Sequence, residues 1–547
     1  MSNKQTDNGK QVGKSRGSRV GLLVTEYSDL YYVRGLDAGT SIDVIQVVKG
    51  IVDYVSNYTW SIGLIYVPVT KVRKLKESGW NIIRGLALWV KPLTYTVKNV
   101  PSDIKHVMEN RALVDTSMFS EEFLERGDFG RVILGEVLFH VDGISDIGIK
   151  VGVLRGYVEL FVHSNGILVL TLNIPLHGYE LSSRDIIKLR YALESEGVIV
   201  EIQRWIYMLW SKLRRGELGE LIEKKEGIVR VKVKTFDVLE AYSTAVKYLV
   251  NQLIGRKIAS IAELTRVLRN PWDIDYAMVF TELLRGKSKA IDVLRRFSIQ
   301  LYSILHGTRK ITSREVLEKI IRRAYHYVPI SALGEAGFPS PLRLVIGRVV
   351  TFITSTDTHV VAITRKYLGP NEYGISIRLR HLTIIELVIH LKQSLRVFEY
   401  MFTHRRLKSI DELVMLREEF SKIIDYIENT YFVVDRDMRQ LFQRTRRALE
   451  IDRLNSSVER KLETLNYIIM TRYQDRLNKM QLVLSILFGI FGVPFFLFSY
   501  FQWYYDYVTL GKSPNFLPVT IATWIPTILI LILTISLYQY WRKKIYE

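Results

Sequence analysis

The pattern of apolar and polar positions is most distinctive near the C-terminal end, where two long runs contain no charged residue. The runs cover residues 481–501 and 516–538. About 20 helical residues cross a hydrocarbon core of ~30 Å, because each residue advances a helix by about 1.5 Å. Tyrosines and tryptophans follow both runs, as they do at membrane interfaces. The pattern therefore predicts two transmembrane helices within residues 481–540.

Basic residues lie on one side of this predicted hairpin. Three precede the first run and three follow the second: Arg472, Arg476, Lys479, Arg542, Lys543 and Lys544. The positive-inside rule then predicts a multi-pass protein of the cell membrane with both termini in the cytoplasm. Residues 541–547 would form a basic cytoplasmic tail. Residues 1–18 are polar and basic without an apolar signal segment, so they predict a disordered tail.

The region before the runs mixes strand-like and helix-like patterns. Strand patterns occupy residues 19–69, with one helix between them, then 131–175 and the segment from residue 343. Helical patterns cover roughly residues 183–214, 236–268 and 289–325. Asn165-Gly166 predicts a hairpin with a type I′ turn. Residues 19–380 are therefore predicted to form a cytosolic α/β or α+β region of one or two subdomains.

Residues 381–480 are predicted to be a helical bundle that ends in a long stalk. Apolar residues recur along the stalk in steps of three and four, partly as 11-residue units: Ile451, Leu454, Val458, Leu462, Leu465, Ile469, Tyr473, Leu477 and Met480. A helix with a narrow apolar stripe needs helical neighbours. Those neighbours are either preceding helices of the same chain or further copies of it, and the sequence leaves both open.

Composition removes several kinds of chemistry. The chain has no cysteine, which excludes disulfides, cysteine zinc sites and a thiol nucleophile. Its 76 Lys and Arg against 56 Asp and Glu give a net charge of +20. The basic residues are spread along the chain, so we expect no nucleic-acid partner.

Candidate catalytic and metal-binding motifs are weak. His381 and His390 are nine residues apart, which does not place both on one helix face as a ligand pair. The acidic group Glu121, Glu122, Glu125 and Asp128 is typical of a solvated helix face, with a divalent cation as the alternative. No set of nucleophile, base and orienting group stands out. We therefore expect no enzyme and no cofactor other than a divalent cation.

The order of elements over residues 381–547 resembles the CorA-type magnesium and cobalt transporter superfamily. The resemblance runs through RYQDRLNKMQLVLSILFGIFGVPFF and the basic tail WRKKIYE. Its signature Gly-Met-Asn is absent, and this chain has Ser499-Tyr500-Phe501-Gln502-Trp503 at that place. The resemblance implies a long helix that leads into the first of two membrane spans, and passive transport of Mg²⁺ or Co²⁺.

Two functions follow from these observations and stay open. The first is a divalent-cation channel or transporter, for which Gln502, Asp506 and Asn515 are the candidate metal-binding residues because they offer side-chain oxygens near the predicted outer mouth. The second is a membrane-anchored regulatory or interaction protein that does not conduct ions. In both, the partners are the lipid bilayer and further copies of the chain. Small residues on the first span would allow close helix packing: Ser485, Gly489 and Gly492.

Overall fold

Long β-strands with alternating side chains form the centre of the fold. The computed structural model describes residues 24–39, 41–142, 152–176, 181–214, 217–255, 274–283, 335–337, 343–346, 349–355, 370–404 and 433–509, together with positions 144, 315, 414, 418, 421, 532 and 536. The strands are β1 (Val24–Asp37), β2 (Ile62–Pro68), β3 (Asn81–Ile82), β4 (Val90–Thr96), β5 (Phe129–His140), β6 (Val153–His163), β7 (Ile167–Pro175), β8 (Leu181–Ser182), β9 (Val198–Gln203), β10 (Glu220–Lys224), β11 (Ile228–Val233), β12 (Ile274–Leu283), β13 (Glu335–Gly337), β14 (Arg343–Ile346) and β15 (Val349–Ser355).

Helices lie between these strands and follow them. They are α1 (Val44–Val55), α2 (Val69–Lys76), α3 (Ser102–Met118), α4 (Glu121–Glu125), α5 (Ser183–Tyr191), α6 (Arg204–Arg214), α7 (Thr235–Leu253), α8 (Pro370–His404), α9 (Arg436–Ala448), α10 (Ile451–Leu487) and α11 (Val493–Tyr504). Several begin at side-chain caps. Asp43 accepts from the Gln46 amide at α1, and Ser182 with Asp185 forms a capping box at α5.

The described strands join into one sheet with the order β10-β11-β9-β5-β6-β7-β1-β12-β15-β14-β13. β2 branches from β5 and also pairs with β4, which pairs with β3, and β8 pairs with β1. Among these described strands, only β12 and β15 pair in parallel. The sheet is therefore antiparallel in character. The α/β alternative predicted from the sequence is wrong, because a doubly wound fold needs parallel neighbours joined by crossover helices.

The central strands present two different faces to two groups of helices. Even-numbered residues of β1, β6 and β7, and of β5 before its bulge at Gly135, join the large apolar core with α1 and α7, as Leu30, Val132, Leu160 and Leu170 do. Odd-numbered residues of the same stretches point to the opposite face, which α3 and α8 cover. This second face is polar and charged, and it contains the candidate site described below.

A bulge at Gly135 lets β5 serve two neighbours on one edge. The register with β6 shifts between Ile133 and Glu136. Before the bulge β5 pairs with β2, and beyond it β5 pairs with β9. Gly135 has a φ of 121°. A Cβ at this position would lie 1.7 Å from Nε2 of Gln203, whose amide donates to the Leu134 carbonyl at 3.1 Å.

Local predictions for this region were partly right. The hairpin at Asn165-Gly166 is confirmed, because β6 and β7 pair antiparallel on either side of it. Its turn type was wrong: Gly166 has a φ of 84°, whereas a type I′ turn needs a positive φ at both residues and Asn165 has none. The helix predicted over 183–214 is divided by β9. The helix predicted over 289–325 lies outside the described residues, apart from position 315.

The chain divides into two compact units. The first comprises residues 1–406 and 416–458, and the second residues 407–415 and 459–547. The boundary falls within α10. This helix contains the predicted stalk and extends beyond it to Leu487. A π-helical turn at Phe488–Gly492 leads to α11, and a second one occupies Tyr505–Thr509.

The predicted transmembrane hairpin is wrong, and so is the multi-pass location in the cell membrane. Within the described ranges, no helix combines the length and the apolar character needed to cross a membrane. The first charge-free run is divided among the end of α10, the turn at 488–492 and α11. The 12 residues of α11 extend only ~18 Å against a core of ~30 Å. The second run lies outside the described residues except for positions 532 and 536.

Replacing Gly135 with alanine is expected to destabilise the protein by about 3 kcal/mol or more, because it adds backbone strain and a clash with Gln203. Gly227→Ala is the control. Gly227 has a φ of 81° but no neighbour of a Cβ within 4 Å, so we expect a loss of about 1 kcal/mol. Urea unfolding measures both. Equal losses of stability in the two variants would show that the close approach of Gln203 to Gly135 adds nothing to the cost of the substitution.

Candidate functional site

Charged side chains converge on the polar face of the sheet, beneath α8. Arg131 comes from β5 and Glu159 from β6, while Arg111 and Asp115 come from α3. Glu386 comes from α8. We call these five residues the ionic cluster. Each strand residue reaches the cluster because its odd position in the alternation turns it away from the apolar core.

Two arginines share three carboxylates within the ionic cluster. Glu386 accepts from Nη2 of Arg111 at 3.2 Å and from Nη1 of Arg131 at 2.6 Å. Glu159 accepts from the same two nitrogens at 2.8 and 3.1 Å. Asp115 accepts from Nε of Arg131 at 3.0 Å. Every charge therefore has an opposite charge within hydrogen-bonding distance, which is the condition for burying ions in a protein interior.

Neutral groups complete the cluster's hydrogen bonds. Thr383 Oγ1 accepts from Arg111 Nη1 at 3.0 Å, and Thr171 donates to Glu386 at 3.1 Å. The hydroxyl of Tyr66 donates to Asp115 at 2.6 Å. The Arg131 guanidinium also lies over the Phe161 ring, 5.1 Å from its centre. The charged groups of the cluster therefore make their hydrogen bonds to neighbouring groups of the protein itself.

Burial and charge together determine the protonation of the cluster. All five side chains are 0–1% exposed. Burial alone would raise the pKa of Glu386, but Arg111 and Arg131 outweigh it and lower that pKa below its ordinary value. Burial opposes the charged form of Arg111 too, yet Glu159 and Glu386 raise its pKa. Glu386 and Arg111 therefore stay ionised, and the charged side chains of the cluster are turned towards one another. The arrangement suits an attachment of α8 to the sheet better than a catalytic site.

A second ion pair attaches the N-terminal part of α8. Nη1 of Arg378 donates to Asp29 of β1 at 2.5 Å. The other oxygen of Asp29 accepts from the backbone amide of Leu176 at 3.0 Å, and the Tyr31 hydroxyl donates to the carboxylate at 3.1 Å. Both charged side chains are 4% exposed. The charges of α8 therefore meet the sheet at two places, two helical turns apart.

Two buried histidines lie further along the same interface. The rings of His163, at the end of β6, and His390 of α8 are 4.1 Å apart between centres and tilted by 32°. Burial lowers the pKa of His163 to about 4. Burial and the neighbouring His163 lower the pKa of His390 well below its ordinary value. Two protonated rings at this distance would repel, so the pair is neutral near pH 7.

A different kind of surface occupies the second unit. Large apolar side chains from Tyr467 to Tyr507 are exposed, and they include Met470 at 62%, Tyr473 at 56% and Phe496 at 71%. We call α10 from Met470 onward, together with the turn at Phe488–Gly492 and α11, the apolar helix surface. Exposed apolar surface that is contiguous in this way is typical of an interaction site.

The structure describes two of the three metal-binding residues predicted from the sequence, so their grouping stays a prediction. Gln502 lies in α11 and Asp506 in the π-helical turn that follows it, while Asn515 is outside the described residues. Across the described ranges, no group of three or more His, Asp or Glu side chains could hold a metal ion. That includes the acidic group at residues 121–128. The expected divalent cation has no support from these residues.

The predicted packing residues lie on the apolar helix surface. Ser485 belongs to α10, and Gly489 and Gly492 belong to the turn that follows. All three are exposed. Among the described residues, nothing approaches within 4 Å of a Cβ built at either glycine. Close packing of helices at these positions therefore remains a prediction.

Sequence reasoning missed the ionic cluster. Its signal was present in β6, where the segment Tyr157–His163 alternates Val158, Leu160 and Val162 with Glu159 and His163. Such alternation ordinarily indicates a strand with one solvent-exposed face. Glu386 lies in a strongly apolar part of α8, which is the second signal. A charge at that place needs an opposite charge.

Replacing Glu386 with glutamine is expected to lower the free energy of unfolding by about 3–5 kcal/mol, because it leaves two buried arginines with too few carboxylates. Asp103→Asn is the control. It breaks a pair with Arg155 in which both side chains are about half exposed, and should cost about 1 kcal/mol or less. Chemical denaturation compares the two. A small loss at Glu386 would contradict the attachment role.

The histidine pair predicts a loss of stability in acid. In the unfolded chain both residues bind protons below about pH 6.5. The folded chain binds fewer protons between that pH and about 4, so stability falls as the pH is lowered through this window. Each histidine should contribute about 1.4 kcal/mol per pH unit. Urea unfolding between about pH 7 and 5 measures the slope.

His390→Phe should reduce that slope by removing one of the two titrating groups. His106→Phe is the matched control, because the His106 side chain is 78% exposed. It should leave the slope unchanged. If both variants keep the wild-type slope, the pair is not the source of acid sensitivity.

Comparison with known proteins found no relative of this chain. No protein-family model matches the chain, and neither the curated proteins nor the solved structures contain a match. The resemblance to CorA-type transporters gains no support from these comparisons and stays a prediction.

Proposed function

We propose that this chain is a homo-oligomeric interaction protein, which acts by binding and self-association rather than by catalysis. The observation that carries this proposal is a heptad stripe of apolar side chains on the exposed half of α10. The channel alternative requires membrane-spanning helices, and no described helix meets that requirement. We therefore do not carry it forward.

The heptad stripe consists of six residues on one helix face. They are spaced by 3, 4, 3, 4 and 3 positions: Met470, Tyr473, Leu477, Met480, Leu484 and Leu487. This is the a/d spacing of helices that pack side by side in a left-handed coiled coil. The first four are at least 41% exposed, and the last two are half-buried. The stripe therefore has the spacing needed for helix packing, and its first four side chains are exposed.

The part of α10 before the heptad stripe differs from it because its apolar residues are buried. Ile451, Val458 and Leu465 are each at most 1% exposed. The helix thus has an already buried stretch up to Leu465 and an exposed one from Tyr467 onward. Since full burial of a Leu or Met side chain contributes about 1.5–3 kcal/mol, covering the heptad stripe offers a substantial driving force.

A second copy of the chain is the partner that fits the stripe. A coiled-coil seam needs a helix with the same repeat, and every copy brings one. The flanking e and g positions of the seam are Gln474, Arg476, Gln481 and Val483, of which only Arg476 is charged. Charge repulsion between copies is therefore limited to Arg476.

Exposed aromatic residues after the stripe favour more than two copies. Phe496, Phe498, Phe501 and Trp503 of α11 are each at least 50% exposed. At about 100° per residue they fall on two opposite sides of the helix axis, with Phe496 and Trp503 on one side and Phe498 and Phe501 on the other. A helix with apolar residues on two opposite sides needs neighbours on both. One partner covers a single side, so a bundle of several copies accounts for these residues better than a dimer.

Leu477→Glu tests the proposal, because it places a charge within the seam. The wild-type chain should sediment as an oligomer, and the variant should dissociate at concentrations at least tenfold higher than those at which the wild type does. Asn478→Glu is the matched control: it adds the same charge at the next position, outside the stripe, and should sediment like the wild type. Sedimentation velocity distinguishes them.

Two results would overturn the proposal. One is a wild-type chain that remains monomeric at tens of micromolar. The other is a wild-type chain that binds vesicles through this surface while Leu477→Glu abolishes that binding and leaves the oligomeric state unchanged.

A further inference from the structure

A second exposed apolar surface lies in the first unit, at the connection between β3 and β4. Leu86 is 62% exposed, Leu88 74% and Trp89 69%. Ile82 and Val69 are each 43% exposed beside them. We call residues 82–89 the apolar loop. It belongs neither to the ionic cluster nor to the apolar helix surface.

Hydrogen bonds fix the apolar loop in this exposed position. The amide of Leu86 donates to Oγ1 of Thr116 at 3.1 Å, and that of Leu88 donates to the Glu121 carboxylate. The carbonyl of Trp89 accepts from the amide of Val69 at 2.9 Å. The loop is tied to three neighbouring helices, so its apolar side chains are held outwards. A rigid exposed tryptophan is the type of residue that dominates protein–protein binding energy.

The helices beside the loop carry opposite charges. On the side of Val69 and Trp89, α2 exposes four basic residues: Lys71, Arg73, Lys74 and Lys76. On the side of Leu88, α4 carries Glu121, Glu122 and Glu125. The apolar loop therefore has a basic flank and an acidic flank.

The two flanks lie on opposite faces of the sheet. Val72 of α2 belongs to the apolar core on the α1 face. Phe123 of α4 packs against Phe129, 5.6 Å between ring centres, and Phe129 in turn stacks on Phe161 of the polar face. The charges are thus separated across the thickness of the sheet, with the apolar loop between them.

We propose that the apolar loop is the centre of a two-fold symmetric interface with a second copy of this chain. A two-fold rotation about an axis through the loop places the basic flank of each copy against the acidic flank of the other. The apolar side chains of both copies then meet in the middle. An apolar centre with a charged rim of complementary sign is the usual anatomy of such interfaces. A solely acidic partner would leave the α4 carboxylates facing like charge.

This interface is independent of the heptad stripe on α10, and its test must separate the two. All variants are therefore made in the Leu477→Glu chain, which removes the seam. Trp89→Ala should then weaken the remaining dimer at least tenfold in sedimentation equilibrium. Ile222→Ala is the control, because Ile222 is 47% exposed on β10, away from the loop. It should leave the dimer unchanged.

Charge reversal decides between a second copy and another partner. Lys71→Glu with Arg73→Glu should weaken the dimer at least tenfold, and so should Glu122→Lys with Glu125→Lys. The chain with all four substitutions should recover most of the affinity, because both flanks have exchanged sign. Circular dichroism of each variant confirms that it is folded.

Three outcomes would overturn the proposal. The first is a Leu477→Glu chain that stays monomeric at all practical concentrations. The second is a dimer that Trp89→Ala does not weaken. The third is two single-flank reversals whose losses add in the combined variant, since a two-fold interface demands recovery.

Discussion

The ionic cluster is the constraint on which the rest of the first unit depends. Arg111 and Glu386 are separated by 275 residues and nevertheless meet beneath α8. A buried ion costs several kcal/mol unless an opposite charge accompanies it. The sheet therefore cannot bury Arg131 and Glu159 without the carboxylate and the cover that α8 brings. Folding of the sheet's polar face is thereby coupled to a helix that begins at Pro370.

This coupling also fixes the register of the strands. One face of β5, β6 and β7 supplies the apolar core, and the other supplies charges that only α3 and α8 can match. A slip by one residue would exchange the faces, exposing Leu160 to the arginines and turning Glu159 into the apolar core. Both errors are costly. The polar face thus gives the antiparallel sheet a specificity that an apolar sandwich of the same strands would lack.

Sequence reasoning found what depends on neighbours in the chain. The hairpin at Asn165-Gly166 and the long helix from Ile451 are set by local turn chemistry and by periodicity, and both are present. The pairing of β1 with β12, and the ionic cluster, join residues hundreds of positions apart, which no local pattern encodes. The transmembrane prediction used the charge-free runs, the aromatic residues that follow them and the flanking basic residues. None of these patterns detects the π-helical turn that divides the first run near Gly489.

The two exposed apolar surfaces differ in what would select their partner. Along α10, selection rests on spacing, because a seam of Tyr473, Leu477 and Met480 accepts only a helix of the same repeat. At the apolar loop, selection rests on the direction of charge from α2 to α4, which rejects a partner rotated the wrong way. Spacing limits the kind of element that binds, and charge limits its orientation. A chain that uses both can form an ordered assembly without a specific pocket at either surface.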